Sequence, residues 1–108
     1  MTDIRHLNRV VELERERNSY EFDLFGIFYD PALRHYLVGY DSGCSCPVAW
    51  EDHQIQLIGP MTWKDARGVL DSEGMTHDNA NEGWFADAYQ DARRRLTEHA
   101  EAHGLTEV

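Results

Sequence analysis

The sequence predicts an α+β fold, an antiparallel β-hairpin or small sheet packed against two C-terminal helices. Three observations carry this. Two aromatic and β-branched runs, Tyr20–Tyr29 and Arg34–Tyr40, flank Asp30-Pro31-Ala32-Leu33, and Pro31 suits the second position of a turn, where its fixed φ is already right. Trp63, Ala66, Val69 and Leu70 recur at helical spacing, and so do Phe85, Tyr89, Ala92, Leu96 and Ala100, so each stretch presents one apolar face. A chain of 108 residues sits near the common domain size, and residues 1–108 are expected to form a single domain, because two halves would each be too small to bury a good core.

Taken in order, residues 3–17 fit two templates. Ile4, Leu7 and Val11 mark a helical face, whereas Leu7, Arg9, Val11 and Leu13 alternate like a strand. The Arg/Glu-rich run 12–17 favours helix and adjacent Val10 and Val11 favour strand, so the type stays open. In the first hairpin arm Phe22, Leu24 and Phe28 alternate against Phe25, Ile27 and Tyr29. Both faces of that strand carry apolar bulk, which suits a central strand or one whose second face meets a partner. After Asp41-Ser42-Gly43 comes the loop Cys44-Ser45-Cys46-Pro47, then Val48-Ala49-Trp50 and a short apolar stretch, Ile55–Ile58, closed by Gly59-Pro60. That stretch is a third strand or a covering loop. Thr62 opens the first helix with Asp65 three residues on, a variant capping box, and Gly74 is expected to end it. A polar segment, 77–83, leads to the final helix, with Asn81 or Asp78 as its expected cap and Gly104 as its stop.

Hydrophobic residues at 42%, twelve aromatics and a mean hydropathy of -0.62 describe a globular chain with a well-solvated surface. The net charge of -10 is uneven: residues 1–50 hold eight acids and five bases, and 51–108 hold twelve and five. Such a field repels nucleic-acid phosphates and anionic membranes, so neither direct nucleic-acid binding nor membrane association is expected. No apolar run approaches the roughly 20 residues of a membrane span, and the first residues carry no secretory signal, which predicts a protein that stays in the cytoplasm with reduced thiols.

Ser42-Gly43-Cys44-Ser45-Cys46-Pro47 is the segment whose composition stands out. A C-x-C pair can give two thiolates to zinc, with His53 or His35 completing a site. One tight pair supplies only half of a tetrahedral set, however, and no second knuckle follows, so no cofactor is expected and a buried thiol in a tight turn packed on Trp50 is the favoured reading of the segment. Thiol chemistry with His53 or Arg34 lowering a cysteine pKa is the remaining reading. The polar segment 78–83 fails the calcium-loop template in every register. Arg93-Arg94-Arg95 lies among Asp91, Glu98 and Glu101 at helical spacing and reads as a solvated, neutralised face. No phosphate-binding, nucleophile-elbow or zinc-protease motif occurs, and His6, His99 and His103 receive no role.

Tyr20-Glu21-Phe22-Asp23-Leu24-Phe25-Gly26, followed by Asp41-Ser42-Gly43-Cys44-Ser45-Cys46-Pro47 and Trp50-Glu51-Asp52, resembles a family of small actinobacteriophage proteins of unknown function that share an acidic-aromatic strand leading to SGCSCP. The likeness covers about residues 18–53. The resemblance implies phage origin and the host bacterial cytoplasm, and no catalytic residues. The expectation is therefore a non-enzymatic accessory protein that binds a host or phage protein, with Phe25, Ile27, Tyr29, Tyr36 and Tyr40 as the candidate contact residues. The alternatives are a small zinc-binding or thiol-dependent protein centred on Cys44 and Cys46, and an acidic nucleic-acid mimic that blocks a host DNA-binding protein through the C-terminal half. A virion component and a homo-oligomer are left open.

Overall fold

The computed structural model describes residues 7–15, 21–44, 56–77 and 80–106. Four strands, β1 (Asn8–Glu14), β2 (Glu21–Asp30), β3 (His35–Cys44) and β4 (Gln56–Met61), form an antiparallel sheet in sequential order, followed by α1 (Trp63–Thr76) and α2 (Gly83–Ala102). The fold is α+β, with the sheet larger than a hairpin.

The open type of the N-terminal element resolves as strand, for a reason visible in its register. Leu13 lies opposite Phe25 and Val11 opposite Ile27, and a bulge falls between Arg9 and Val11. A bulge lets two consecutive residues face one partner. Val10 thereby packs on the core beside fully buried Val11.

β2 and β3 pair in unbroken register from Glu21 opposite Cys44 to Asp30 opposite His35. β3 therefore runs past the expected arm end at Tyr40, through Asp41-Ser42-Gly43, and takes in Cys44, expected as the first residue of the loop. The turn is Pro31–Arg34. Asp30 Oδ1 accepts from the backbone N–H of Ala32 (2.9 Å) and Leu33 (3.3 Å), and Arg34 N donates to Asp30 O at 2.8 Å. Arg34, expected as the first residue of the second arm, instead takes the left-handed conformation (φ 57°) that reverses the chain. The third apolar stretch is a true strand. It runs through Gly59-Pro60 to Met61 with a shift in register between Tyr36 and Val38; Gly59 sits at φ 138°, where an added Cβ would lie 2.9 Å from the Tyr36 carbonyl oxygen.

Thr62 caps α1 as expected, its hydroxyl accepting from Asp65 N at 3.3 Å. Gly74 does not end this helix. It is buried inside the last turn, where an added Cβ would sit within the Tyr89 ring. Glycine here answers a close helix–helix approach instead of a chain reversal. α2 begins after Glu82 with no side-chain cap bond, so Asn81 does not cap it, and Asp78 lies outside the described residues. The helix stops near Gly104, which is left-handed (φ 68°), and the Leu105 N–H returns to the Ala100 carbonyl at 2.8 Å.

One core results. Val11 and Leu13 from β1, Phe25, Ile27 and Tyr29 from β2, and Tyr36 and Val38 from β3 meet Trp63, Ala66 and Leu70 of α1 and Phe85, Tyr89, Ala92, Leu96 and Ala100 of α2. On the face away from the helices Leu24 and Phe28 are buried as well, so β2 is covered on both sides, as its two apolar faces require.

Candidate functional site

Phe25, Ile27, Tyr29 and Tyr36, the aromatic and aliphatic residues expected at a partner surface, are 0–3% exposed. The helices cover the face of the sheet that carries them. Tyr40 alone of the five lies at the margin of the core, half-buried. The other expected residues are not brought together. Cys44 ends β3 and His35 begins it; nine residues of extended chain separate them by about 30 Å, so His35 cannot complete a zinc site with Cys44. Arg34 lies at the same distant end and donates to the His103 carbonyl at 2.6 Å, which removes it as a neighbour for the thiol. Cys46, Trp50 and His53 lie outside the described residues.

Two polar clusters do form. At the Tyr40 margin, Arg15 donates to Asp23 Oδ1 through Nε (3.0 Å) and a terminal nitrogen (2.6 Å), and to Glu73 Oε2 at 3.2 Å. Tyr40 donates its hydroxyl to Glu73 Oε1 at 2.9 Å, and the Arg15 guanidinium lies 5.0 Å from the Tyr40 ring centre. Burial, reinforced by the Glu73 carboxylate and opposed by Arg15, pushes the Tyr40 hydroxyl up to about 12. Asp23 of β2, Tyr40 of β3, Glu73 of α1 and Arg15, which directly follows β1, are its members, so the network ties α1 to the sheet. Beside it an open groove of about 530 Å³ runs between α1 and the β3–β4 side of the sheet, lined by Tyr40, Met61, Lys64, Gly68, Val69 and Glu73 among others. An added Cβ at Gly68 would meet nothing within 4 Å, so that glycine faces open space in a helix interior where alanine is intrinsically better.

The second cluster lies where the hairpin turn meets the end of α2. Tyr36 Oη and His99 Nδ1 are 2.8 Å apart, and His103 Nδ1 donates to the His99 carbonyl at 2.8 Å. The two imidazoles stack with centroids 4.1 Å apart, and the Tyr29 ring lies 4.8 Å from one and 5.1 Å from the other. Burial, then the charge of His103, holds His99 below the usual histidine range, while burial, then Tyr29, pushes Tyr36 up to about 12. Both histidines were without a role in the sequence. Their i, i+4 spacing is a readable signal, but it gains meaning only once the helix is placed and the hairpin delivers two tyrosines to it.

The helical carboxylates are largely paired. Asp71 faces Arg93 (3.1 Å), Arg67 (3.7 Å) and the Tyr89 hydroxyl (2.7 Å), and Asp91 and Glu98 hold Arg94, with Asp91 also on Arg95. Among the described residues the outer strands are β1 and β4. β1 carries Arg9, Glu12 and Glu14, whereas the six residues of β4 carry no charge and Ile58 is 54% exposed.

The family described as a domain of unknown function (DUF7574) matches residues 2–103. The chain belongs to this family. No curated protein and no solved structure matches the chain. None of the described helices of this DUF7574 protein is long and apolar enough to cross a membrane.

Proposed function

We propose that this chain is a phage-encoded, non-enzymatic accessory protein that acts in the host cytoplasm by binding another protein, and that the contact is made along β4 and the adjoining α1 groove. The observation that carries the reading is the contrast between the two outer strands. An exposed strand edge is a template for pairing, and charged residues are the usual protection. β1 has that protection, and β4 has none and exposes Ile58. Pro60 lacks an N–H, so the stretch able to pair is Gln56–Ile58, and a partner would add a short extended segment there with a side chain entering the groove over Gly68. The resemblance of residues 18–53 to small actinobacteriophage proteins supports the phage origin, and the absence of a recognised catalytic motif in the sequence supports a binding role. The nucleic-acid mimic draws less support, because Asp71, Glu73, Asp91 and Glu98 face the protein's own arginines and do not form a bare acidic face.

Placing a photo-crosslinking residue at Ile58 and, separately, at Glu12 in protein made within infected cells tests the assignment. The expected result is a discrete heteromeric adduct from position 58 and none from position 12. Adducts from position 12 alone, or from neither, would refute it.

A further inference from the structure

Four rings and one guanidinium fasten the end of α2 to the hairpin turn. His99 and His103, one helical turn apart, stack nearly parallel, with 4.1 Å between centres and 22° between planes. Tyr29 of β2 lies against both, and Tyr36 of β3 meets His99 edge-on, 5.6 Å between centres, as well as through its hydroxyl. The Arg34 guanidinium holds the His103 carbonyl. A neutral imidazole can lie at this distance from a neutral or a charged one, but two imidazolium rings repel. Among the described residues no group facing the pair offsets that repulsion. Tyr29 and Tyr36 are uncharged at neutral and acid pH, Arg34 is a further cation, and β1 brings uncharged Asn8 opposite Tyr29. On α2 itself, Arg95 is held by Asp91, and Glu98 and Glu101 line the groove on the α1 side of the helix. Asp30 and His35 pair on the other face of the sheet.

We propose that the stacked histidines are an acid-sensitive clasp: with at most one ring charged they hold the end of α2 on Tyr29 and Tyr36, and with both charged the last turn of α2 and residues 103–106 part from the hairpin turn while the rest of the fold stays intact. The order of protonation follows from the surroundings. His103 is exposed and lies at the C-terminal end of the helix, where a cation is favoured. Its Nδ1 bond to the His99 carbonyl survives protonation of Nε2, so the first charge leaves the clasp closed. The second charge falls on His99, half-buried and facing a cation, whichever of its nitrogens takes the proton. Burial and His103 hold His99 below the usual histidine range. The opened end therefore binds this proton more readily than the closed one, and acid favours opening. Phe25, Val38 and Leu70, fully buried, keep the centre of the core in place.

The Leu105 N–H, bonded to the Ala100 carbonyl beneath a side chain that is 5% exposed, reports on the closed state. The test is amide hydrogen exchange of the full chain, read by NMR at pH 7.5 and 5 and corrected for the intrinsic rate, in parallel with His103→Gln. His103 is exposed, so its replacement is tolerated by the fold. The expected result is a fall of at least about tenfold in Leu105 protection between the two pH values, with Phe25 and Val38 unchanged. In His103→Gln, which lacks the first charge, Leu105 should keep its protection. Titration of the ring signals in the unaltered chain gives a reading independent of any variant: His103 should gain its proton at higher pH than His99. Leu105 protection that does not respond to pH, an equal fall in His103→Gln, a fall shared by Phe25 and Val38, or His99 titrating at or above His103 would each overturn the clasp.

Discussion

Trp63 shows how a single side chain can be both indispensable in volume and dispensable in chemistry. It is the first residue of α1, 8% exposed, with the Arg67 guanidinium 5.4 Å from its ring, yet its buried indole N–H meets no acceptor among the described residues. A buried donor left unsatisfied costs about 1–3 kcal/mol, comparable to what the extra ring of indole gains over phenyl. Trp63→Phe should therefore change unfolding free energy by less than about 1 kcal/mol, whereas Trp63→Ala should lose about 3–5 kcal/mol through the cavity it leaves. Urea denaturation of the two variants checks this, and a large loss in Trp63→Phe would reveal an acceptor for the indole. At the same scale the five expected contact residues teach a rule of direction. Phe25, Ile27, Tyr29 and Tyr36 are the residues most able to bind a partner, and for that reason the protein's own helices take them first.

Two glycines of α1 look alike in sequence and behave oppositely in the element. Gly68 faces the open groove, and an added methyl there touches nothing; Gly68→Ala should stabilise the protein by about 0.5–1 kcal/mol through helix propensity and reduced freedom of the unfolded chain. Gly74 is pressed against the Tyr89 ring, which Asp71 and Arg93 hold in place. Gly74→Ala must displace that ring and should destabilise by about 1–3 kcal/mol despite the same gain in propensity. Thermal or denaturant unfolding of the pair should show shifts of opposite sign. Expecting Gly74 to end the helix followed from treating glycine as punctuation; its actual role depends on a residue fifteen positions later, which local pattern cannot reveal.

For the molecule as a whole, the titrating groups in the two polar clusters set opposite edges of a stability profile. His99 has a lowered pKa in the folded state, so the unfolded chain binds more protons near and below pH 6.5, and the stability this group contributes is present above that pH and lost as the pH falls through the folded value. Acidification also relieves the repulsion within a chain of net charge -10, so the His99 contribution is read as a difference: between pH 7.5 and 5, the unaltered chain should lose more stability, or gain less, than His99→Gln. Tyr36 and Tyr40 are raised to about 12 from 10. Their contribution is complete below pH 10 and disappears as the pH rises through about 12, so unfolding free energy should fall over that interval, with both phenolates appearing late in an ultraviolet titration. Normal titration of all tyrosines near 10 would mean that the hydroxyls of Tyr36 and Tyr40 are solvated.

The sequence by itself determined the α+β class, the hairpin about Asp30 and Pro31, and both helices with the inner faces that bury Trp63, Ala66, Leu70, Phe85, Tyr89, Ala92, Leu96 and Ala100, because turn chemistry and periodicity are local properties of the chain. Only the tertiary structure decided that residues 8–14 are a strand, since Val10 and Val11 both reach the core through a bulge that exists only against β2. It also decided that β3 continues to Cys44, that Tyr40 joins Arg15, Asp23 and Glu73, and that Tyr36 meets His99. Arg15 and Glu73 are 58 residues apart and Tyr36 and His99 are 63 apart. Contacts over such separations follow from how sheet and helices dock, a balance of burial over the whole core to which no single segment of sequence holds the key.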